Sequence, residues 1–235
     1  MPPVRFLPMR SPYKIVFFDN DGTLTDNRST WVYTHTWLGT WEPDGRLLLE
    51  NHLENRTPYD EFSRENVRLW KSFPKERFLK RIRTIKIRPG VGETVRSLKD
   101  AGVIVAVLSS GFSLWKKIWL EREGIEWDYY HANDIVFDSD GKCTGEIVMH
   151  VTDNVPGMDK GSWVERICTA EGIPKEQRVF VGDGWGDVSG FNACAFGIAV
   201  EPYMDEVIKA AKYILNGDEF LKIREICIGE QNERS

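Results

Sequence analysis

The sequence predicts an α/β protein, a parallel sheet with crossover helices that carries an inserted, mainly helical segment. Three observations lead there. Apolar runs with strand character recur at residues 15–18, 103–108, 179–181 and 196–200 with helix-like segments between them, and that alternation calls for crossover connections. The first three runs end in Asp19-Asn20-Asp21-Gly22, Ser109-Ser110-Gly111 and Gly182-Asp183-Gly184. In open α/β sheets ligands bind beyond the carboxyl ends of the strands, so these tips should converge on one crevice. Finally, residues 25–88 interrupt the alternation with a Trp-rich, helical stretch, and Arg88-Pro89-Gly90 marks its end.

Taken in order, residues 1–13 begin with four prolines in twelve positions and read as an irregular arm. The stretch KIVFFDNDGTLTDN at 14–27 then runs from an apolar strand into two aspartates one residue apart. Asn-Asp-Gly often closes a β-hairpin, but a hairpin needs a second alternating strand at once. The next residues are polar and then aromatic with a helical period, so the carboxylates end a strand. Within the insert, Trp31, His35 and Leu38 fall at helical spacing, as do Phe62, Asn66, Leu69 and Phe73; its Trp and Phe residues read as core. Residues 89–235 resume the sheet pattern. Asp138 to Gly141 reads as a hairpin turn between two β-like runs, and Lys160 opens an amphipathic helix with Trp163, Val164 and Ile167 on its inner side. The expected division is an arm at 1–13, a core at 14–24 and 89–235, and a helical cap at 25–88.

A chain of 235 residues with 41% hydrophobic content can bury a real core. The formal charge of −5 argues against a general nucleic-acid binder. Residues 25–88 hold 13 Lys+Arg against 9 Asp+Glu, leaving 18 against 27 elsewhere; a basic insert on an acidic body can draw in a small anion. Cys143, Cys168, Cys194 and Cys227 form no CxxC pair, so neither a disulfide framework nor a zinc site is expected. The apolar runs are too short to cross a bilayer and no signal-peptide pattern opens the chain. A cytoplasmic monomer or homodimer, with no membrane or nucleic-acid partner, is the expectation.

The strand-tip residues plus Lys160 make an inventory of carboxylates, a hydroxyl, an ammonium and glycine-rich turns, which fits phosphoryl transfer through a covalent carboxyl-phosphate. A carboxylate with a reference pKa of about 3.9 is ionised at neutral pH and can attack phosphorus. A neighbouring carboxyl held protonated can protonate the leaving oxygen and later take a proton from water. A phosphate monoester brings roughly −1.5 to −2 charges into an already acidic site, so a cation is required. Mg²⁺, which takes oxygen ligands together with substrate phosphate, suits it. Lys160 would add positive charge, while Ser109 and the backbone N–H groups of Ser110 and Gly111 would bind phosphate oxygens.

These residues carry a resemblance. DNDGTLT resembles the DxDxT first motif of the haloacid dehalogenase superfamily, VIVAVLSSGF its second, Lys160-Gly161 its third and VFVGDGWGDVSGF its fourth, in the family's order. Flanking segments are similar to the phosphoserine phosphatase-like branch, and the likeness covers about residues 14–216. It implies a Rossmann-like three-layer core with a helical cap inserted after the first motif. Carried over by position, Asp19 is the nucleophile. Asp21 is the general acid/base and gives its main-chain carbonyl to the metal. Thr23 supports the phosphate-binding loop, Ser109 binds phosphate and Lys160 neutralises charge. Asp183 ligates Mg²⁺, and Asp187 orders metal waters and the lysine.

The sequence departs from that branch at substrate-recognition positions. Arg28 stands where an acidic residue holds the serine ammonium, and Asn66 where an arginine holds the serine carboxylate; Gly186 and Ser110 also differ. Arg28 is therefore expected to face the leaving group and favour an acidic or hydroxyl-rich phosphomonoester. Trp185 reads as buried packing. A phosphotransferase using the same aspartyl-phosphate and a true phosphoserine phosphatase are the alternatives. Hydrolytic dehalogenation and a non-catalytic phosphate-binding protein fit Asp19, Asp21 and Asp183 less well.

Overall fold

The computed structural model describes residues 11–54, 56–152 and 155–229, so most of the proline-rich arm lies outside the described residues. In chain order the elements are β1 (Ile15–Phe18), the helices α1 (Thr30–Leu38), α2 (Arg46–Leu53), α3 (Tyr59–Arg68) and α4 (Lys75–Ile82), then α5 (Val91–Asp100), β2 (Ile104–Phe112), α6 (Leu114–Glu123), β3 (Tyr129–Phe137) and β4 (Cys143–Val148). Next come α7 (Lys160–Glu171), β5 (Arg178–Gly182), α8 (Val188–Ala193), β6 (Phe196–Val200), α9 (Asp205–Ala210), β7 (Tyr213–Leu215) and α10 (Leu221–Ile228).

The strands form one sheet of order β4-β3-β2-β1-β5-β6-β7, parallel except for the β3–β4 pair. β1 is hydrogen-bonded to β2 on one side and β5 on the other. The chain therefore winds outward in both directions from β1, and the carboxyl end of β1 is the switch point where such sheets bind ligands. All four apolar runs are in the sheet; β7 carries no such pattern and is an addition. The turn at Asp138 to Gly141 joins β3 to β4 as expected, with Gly141 at φ 73°.

Both faces of the sheet are covered, as a parallel sheet requires. Val16 and Phe18 face the cluster built on α5, α6 and α10, including Val95, Trp115, Trp119 and Ile223. Ile15 and Phe17 face the opposite cluster, where α7, α8 and α9 supply Val164, Ile167, Phe191 and Val207. The lysine helix buries Val164 and Ile167 as expected, while Trp163 stays half-buried and stacks on His131.

Residues 25–88 hold α1 to α4, and the two ends of this insert lie side by side. Thr25 bridges Ile87 in antiparallel fashion and Asp26 N–H donates to the carbonyl of Lys86 at 3.1 Å. Trp31, Trp70, Phe78 and Phe112 pack as one aromatic group across insert and core. Trp70 is fully buried and donates its indole N–H to His35 Nδ1 at 3.1 Å. Trp70→Ala is expected to cost about 3–5 kcal/mol of stability, read by urea denaturation; a loss below about 1 kcal/mol would show that the insert collapses to fill the space.

Candidate active site

The strand tips do converge. Beyond the carboxyl ends of β1, β2 and β5 lies a hollow of about 800 Å³ lined by Asp19, Asp21, Ser109, Ser110, Gly111, Lys160, Asp183 and Asp187 from the core, and by Arg28, Trp31, His35, Phe62 and Asn66 from the insert. Carboxylate oxygens of Asp19, Asp183 and Asp187 all lie within 4.8 Å of one another and all three residues are buried. Three hard oxygen donors so close suit a divalent cation bound through oxygen.

The local chain explains each placement. After β1, residues 20–24 make a tight turn in which Gly22 adopts φ 75°. A Cβ there would lie 2.1 Å from Asp183 Oδ2, so glycine is demanded by both conformation and space. Asp19 Oδ1 accepts the Asn20 N–H at 2.7 Å, and its Oδ2 lies 3.1 Å from Lys160 Nζ. Lys160 is the first residue of α7, whose start is fixed by Asp159 accepting the Ser162 N–H at 3.0 Å. Its side chain is 2% exposed and its ammonium also lies 2.6 Å from Asp187 Oδ1. Asp187 Oδ2 in turn accepts the N–H groups of Asp183 and Gly184, each at 2.9 Å. With both oxygens so engaged, Asp187 orients Lys160 and the β5 tip.

Asp21 is held apart from that cluster. Its carboxylate accepts the Thr30 N–H at 2.5 Å, the Thr30 hydroxyl at 2.6 Å and the Asn20 amide at 2.9 Å. It thereby caps the first turn of α1, tying the end of β1 to the insert. Ser109 Oγ accepts the Gly111 N–H at 3.1 Å. A Cβ on Gly111 would stand 3.2 Å from that hydroxyl and 3.3 Å from Asp21 Oδ2, so these groups share one small space. β2 runs on through Phe112, with its pairing to β3 shifting after Leu108. The Ser110 carbonyl receives Trp31 Nε1 at 3.2 Å, Tyr59 OH at 2.9 Å and Asn133 Nδ2 at 2.9 Å.

Burial dominates the electrostatics. It pushes the Asp19 carboxyl well above the usual range, opposed by Lys160 and reinforced by Asp187, Asp183 and Asp21. It raises Asp183 to about 7, with Asp187 adding to the shift and Thr23 opposing it. It also raises Asp21, against the hydrogen bonds from Thr30 and Asn20. Several carboxylates face one buried ammonium, so the site lacks positive charge.

Thr23 is fully buried beneath the hollow and gives its hydroxyl to Asp183 Oδ1 at 2.9 Å, so it supports the loop by bracing that carboxylate and does not itself line the hollow. Two expectations change. Arg28 lines the hollow, but its guanidinium is turned to Asp183 Oδ2 at 3.4 Å and the Glu201 carbonyl at 3.0 Å and lies over Tyr203. Its charge is directed at the core rather than at a leaving group. Trp185 is 47% exposed and lines the hollow; the short turn after Gly184 turns it outward instead of packing it. Sequence reasoning also missed Thr30 and Arg88. Ser29-Thr30, before an aromatic helical period, is an N-cap signal that could have placed Thr30 at the helix start. The buried Arg88 binds the Gly22 carbonyl at 2.9 Å and Glu201 at 2.8 Å, and no local pattern announces it.

A family model for haloacid dehalogenase-like hydrolases matches residues 16–191. The chain is 32% identical over 191 residues to the phosphoserine phosphatase of Methanocaldococcus jannaschii, covering 81% of this chain and 87% of that one. To the phosphoserine phosphatase of Archaeoglobus fulgidus it is 36% identical over 186 residues, covering 79% and 52%. A solved structure of the phospho-aspartyl intermediate analogue of a phosphoserine phosphatase superposes with a TM-score of 0.73 at 31% identity, covering 90% of this chain and 98% of the other.

Gly22→Ala is expected to weaken divalent-cation binding tenfold or more by titration calorimetry, because left-handed strain of about 1–2 kcal/mol adds to a collision with Asp183. Unchanged affinity would show that the turn yields without moving that carboxylate.

Proposed function

The chain belongs to the haloacid dehalogenase-like hydrolases, and from that premise we propose that it is a Mg²⁺-dependent phosphomonoesterase acting on a small phosphorylated metabolite through an aspartyl-phosphate at Asp19. The observation that carries this is Lys160 Nζ set between Asp19 and Asp187, with the Asp183 carboxylate in the same cluster.

In this reading an Asp19 carboxylate oxygen attacks phosphorus and the bond from phosphorus to the leaving oxygen breaks. Asp21, whose burial favours the protonated form, gives its proton to that oxygen. Water then attacks the phosphorus of the acyl phosphate, Asp21 recovers a proton from it, and inorganic phosphate departs as Asp19 is regenerated. Ser109 and the N–H of Ser110 hold phosphate oxygens, and Gly111, by lacking a side chain, lets the backbone approach. Lys160 favours the ionised, attacking form of Asp19 against the upward push of its burial. Asp19, Asp183 and the main-chain carbonyl of Asp21 would hold Mg²⁺, with Asp187 behind them. When bound, the ion neutralises the phosphoryl oxygens against the surrounding carboxylates. Four buried free cysteines support a reducing, cytoplasmic setting.

Asp19→Asn removes the attacking charge at constant volume. It should lower phosphomonoester turnover by roughly 10³-fold or more with an unchanged circular dichroism spectrum, and the native chain should bind BeF₃⁻ where the variant does not. Wild-type turnover by the variant would reject the covalent route. A second expectation concerns pH. The Asp183 carboxyl, raised to about 7 from a reference of 3.8, keeps in the folded chain a proton that the unfolded chain has released. Its contribution to stability in EDTA therefore declines as pH rises from about 4 to about 7. Mg²⁺ must displace that proton at low pH and meets a ready carboxylate above about pH 7. The rise in melting temperature on adding Mg²⁺ should thus be larger at about pH 8 than at about pH 5.5; equal shifts would remove Asp183 from the metal site.

A further inference from the structure

The part of the hollow furnished by the insert is rich in apolar and aromatic side chains and poor in charge. Trp31, Trp41, Leu49, Leu53 and Phe62 line it, and among the insert residues that line it there is no Asp, Glu or Lys. The polar side chains among them are engaged within the protein: Ser29 Oγ accepts the Val32 N–H, His52 Nδ1 lies 2.9 Å from the Thr57 carbonyl, Tyr59 donates to the Ser110 carbonyl, and His35 and Asn66 are turned toward each other. His35 Nε2 lies 2.5 Å from Asn66 Oδ1, and Asn66 Nδ2 donates to the Phe62 carbonyl at 2.5 Å. An indole N–H only donates, so the bond from Trp70 makes His35 Nδ1 an acceptor and puts the ring proton on Nε2. The pair is a neutral, internally matched unit, and burial lowers the His35 pKa further from the charged form. The formal charge that the insert brings to the wall, Arg28, is directed at Asp183 and the Glu201 carbonyl.

An amino-acid leaving group would carry an ammonium and a carboxylate into this space. Each would lose water without an opposite charge facing it, which is unfavourable in a partly enclosed site. A hollow of about 800 Å³ also falls in the range that encloses drug-sized ligands, well beyond what a three-carbon alcohol fills. Flat faces are already present: His52 stacks on Phe62 with centroids 4.7 Å apart at 17°, and half-buried Trp41 packs against His35 at 6.3 Å. Such surfaces favour a ring in offset or edge-to-face contact over a flexible chain.

We propose that the alcohol released by this enzyme is uncharged and ring-bearing, its ring lodging against Trp41, Phe62 and Leu49 while the phosphate sits at the strand tips. This rests on the phosphomonoesterase reading above and names its substrate class.

The test compares kcat/KM, with Mg²⁺ present, for 2-phenylethyl phosphate, n-hexyl phosphate, O-phosphoserine and 3-phosphoglycerate. All four are cleaved at an alkyl oxygen, so intrinsic reactivity differs little. Phenylethyl phosphate should exceed phosphoserine and phosphoglycerate by tenfold or more and hexyl phosphate by threefold or more. Trp41→Leu, which keeps an apolar side chain but removes the ring, should reduce the phenylethyl preference over hexyl to below twofold. Equal or better turnover of either charged ester would overturn the proposal, and hexyl phosphate matching phenylethyl phosphate would overturn the ring assignment. Hydrolysis of none of the four would instead overturn the phosphomonoesterase reading, a result distinct from a reversed ranking.

Discussion

One buried ammonium makes this site possible. Lys160 stands between Asp19 and Asp187 at the first turn of its helix, and without it two buried carboxylates would face each other at the strand tips with nothing between them. Removing water from such groups costs several kcal/mol each, so the fold must supply opposing charge or leave them protonated. It does both in part: the backbone N–H groups of residues 183 and 184 close around Asp187, and burial drives Asp183 and Asp21 toward their neutral forms. The remaining charge deficit makes the site receptive to a cation together with an anion, and less so to either alone.

The same residues join core to insert. Asp21 follows the central strand and also accepts from the first turn of α1, so a group proposed to handle protons is positioned by Thr30 on a separate part of the chain. The Ser110 carbonyl makes a second seam, receiving Trp31 and Tyr59 from the insert and Asn133 from β3. Displacing the insert would strip donors from both acceptors, so the geometry at the strand ends depends on helices that supply none of the clustered carboxylates.

The sheet was legible because a parallel sheet buried on both faces leaves short, nearly continuous apolar runs, and because each run stops at residues no interior would choose. Lys160 and the four aspartates were legible for the same reason. β7 was not, since Tyr213–Leu215 is three residues long with two of them exposed, too brief to carry a period. Thr23 shows a further limit: its spacing ties it to the loop, but only coordinates reveal that its hydroxyl turns down to Asp183. Arg28 shows another, since a residue's charge can be read from sequence while its direction depends on Glu201 and Tyr203, far along the chain.

The bridge between Thr25 and Ile87 makes the whole helical segment a side branch, leaving the sheet and rejoining it at one spot. Seen from the sheet, the stretch beyond that stitch is a closed loop tied down again by Thr30 at Asp21, by Trp31 and Tyr59 at the Ser110 carbonyl and by Pro74 at Lys142; between those anchors its lining can vary while the strand tips keep their register. Lineages sharing this architecture can therefore diverge in which molecules they admit without relearning how to break the ester bond.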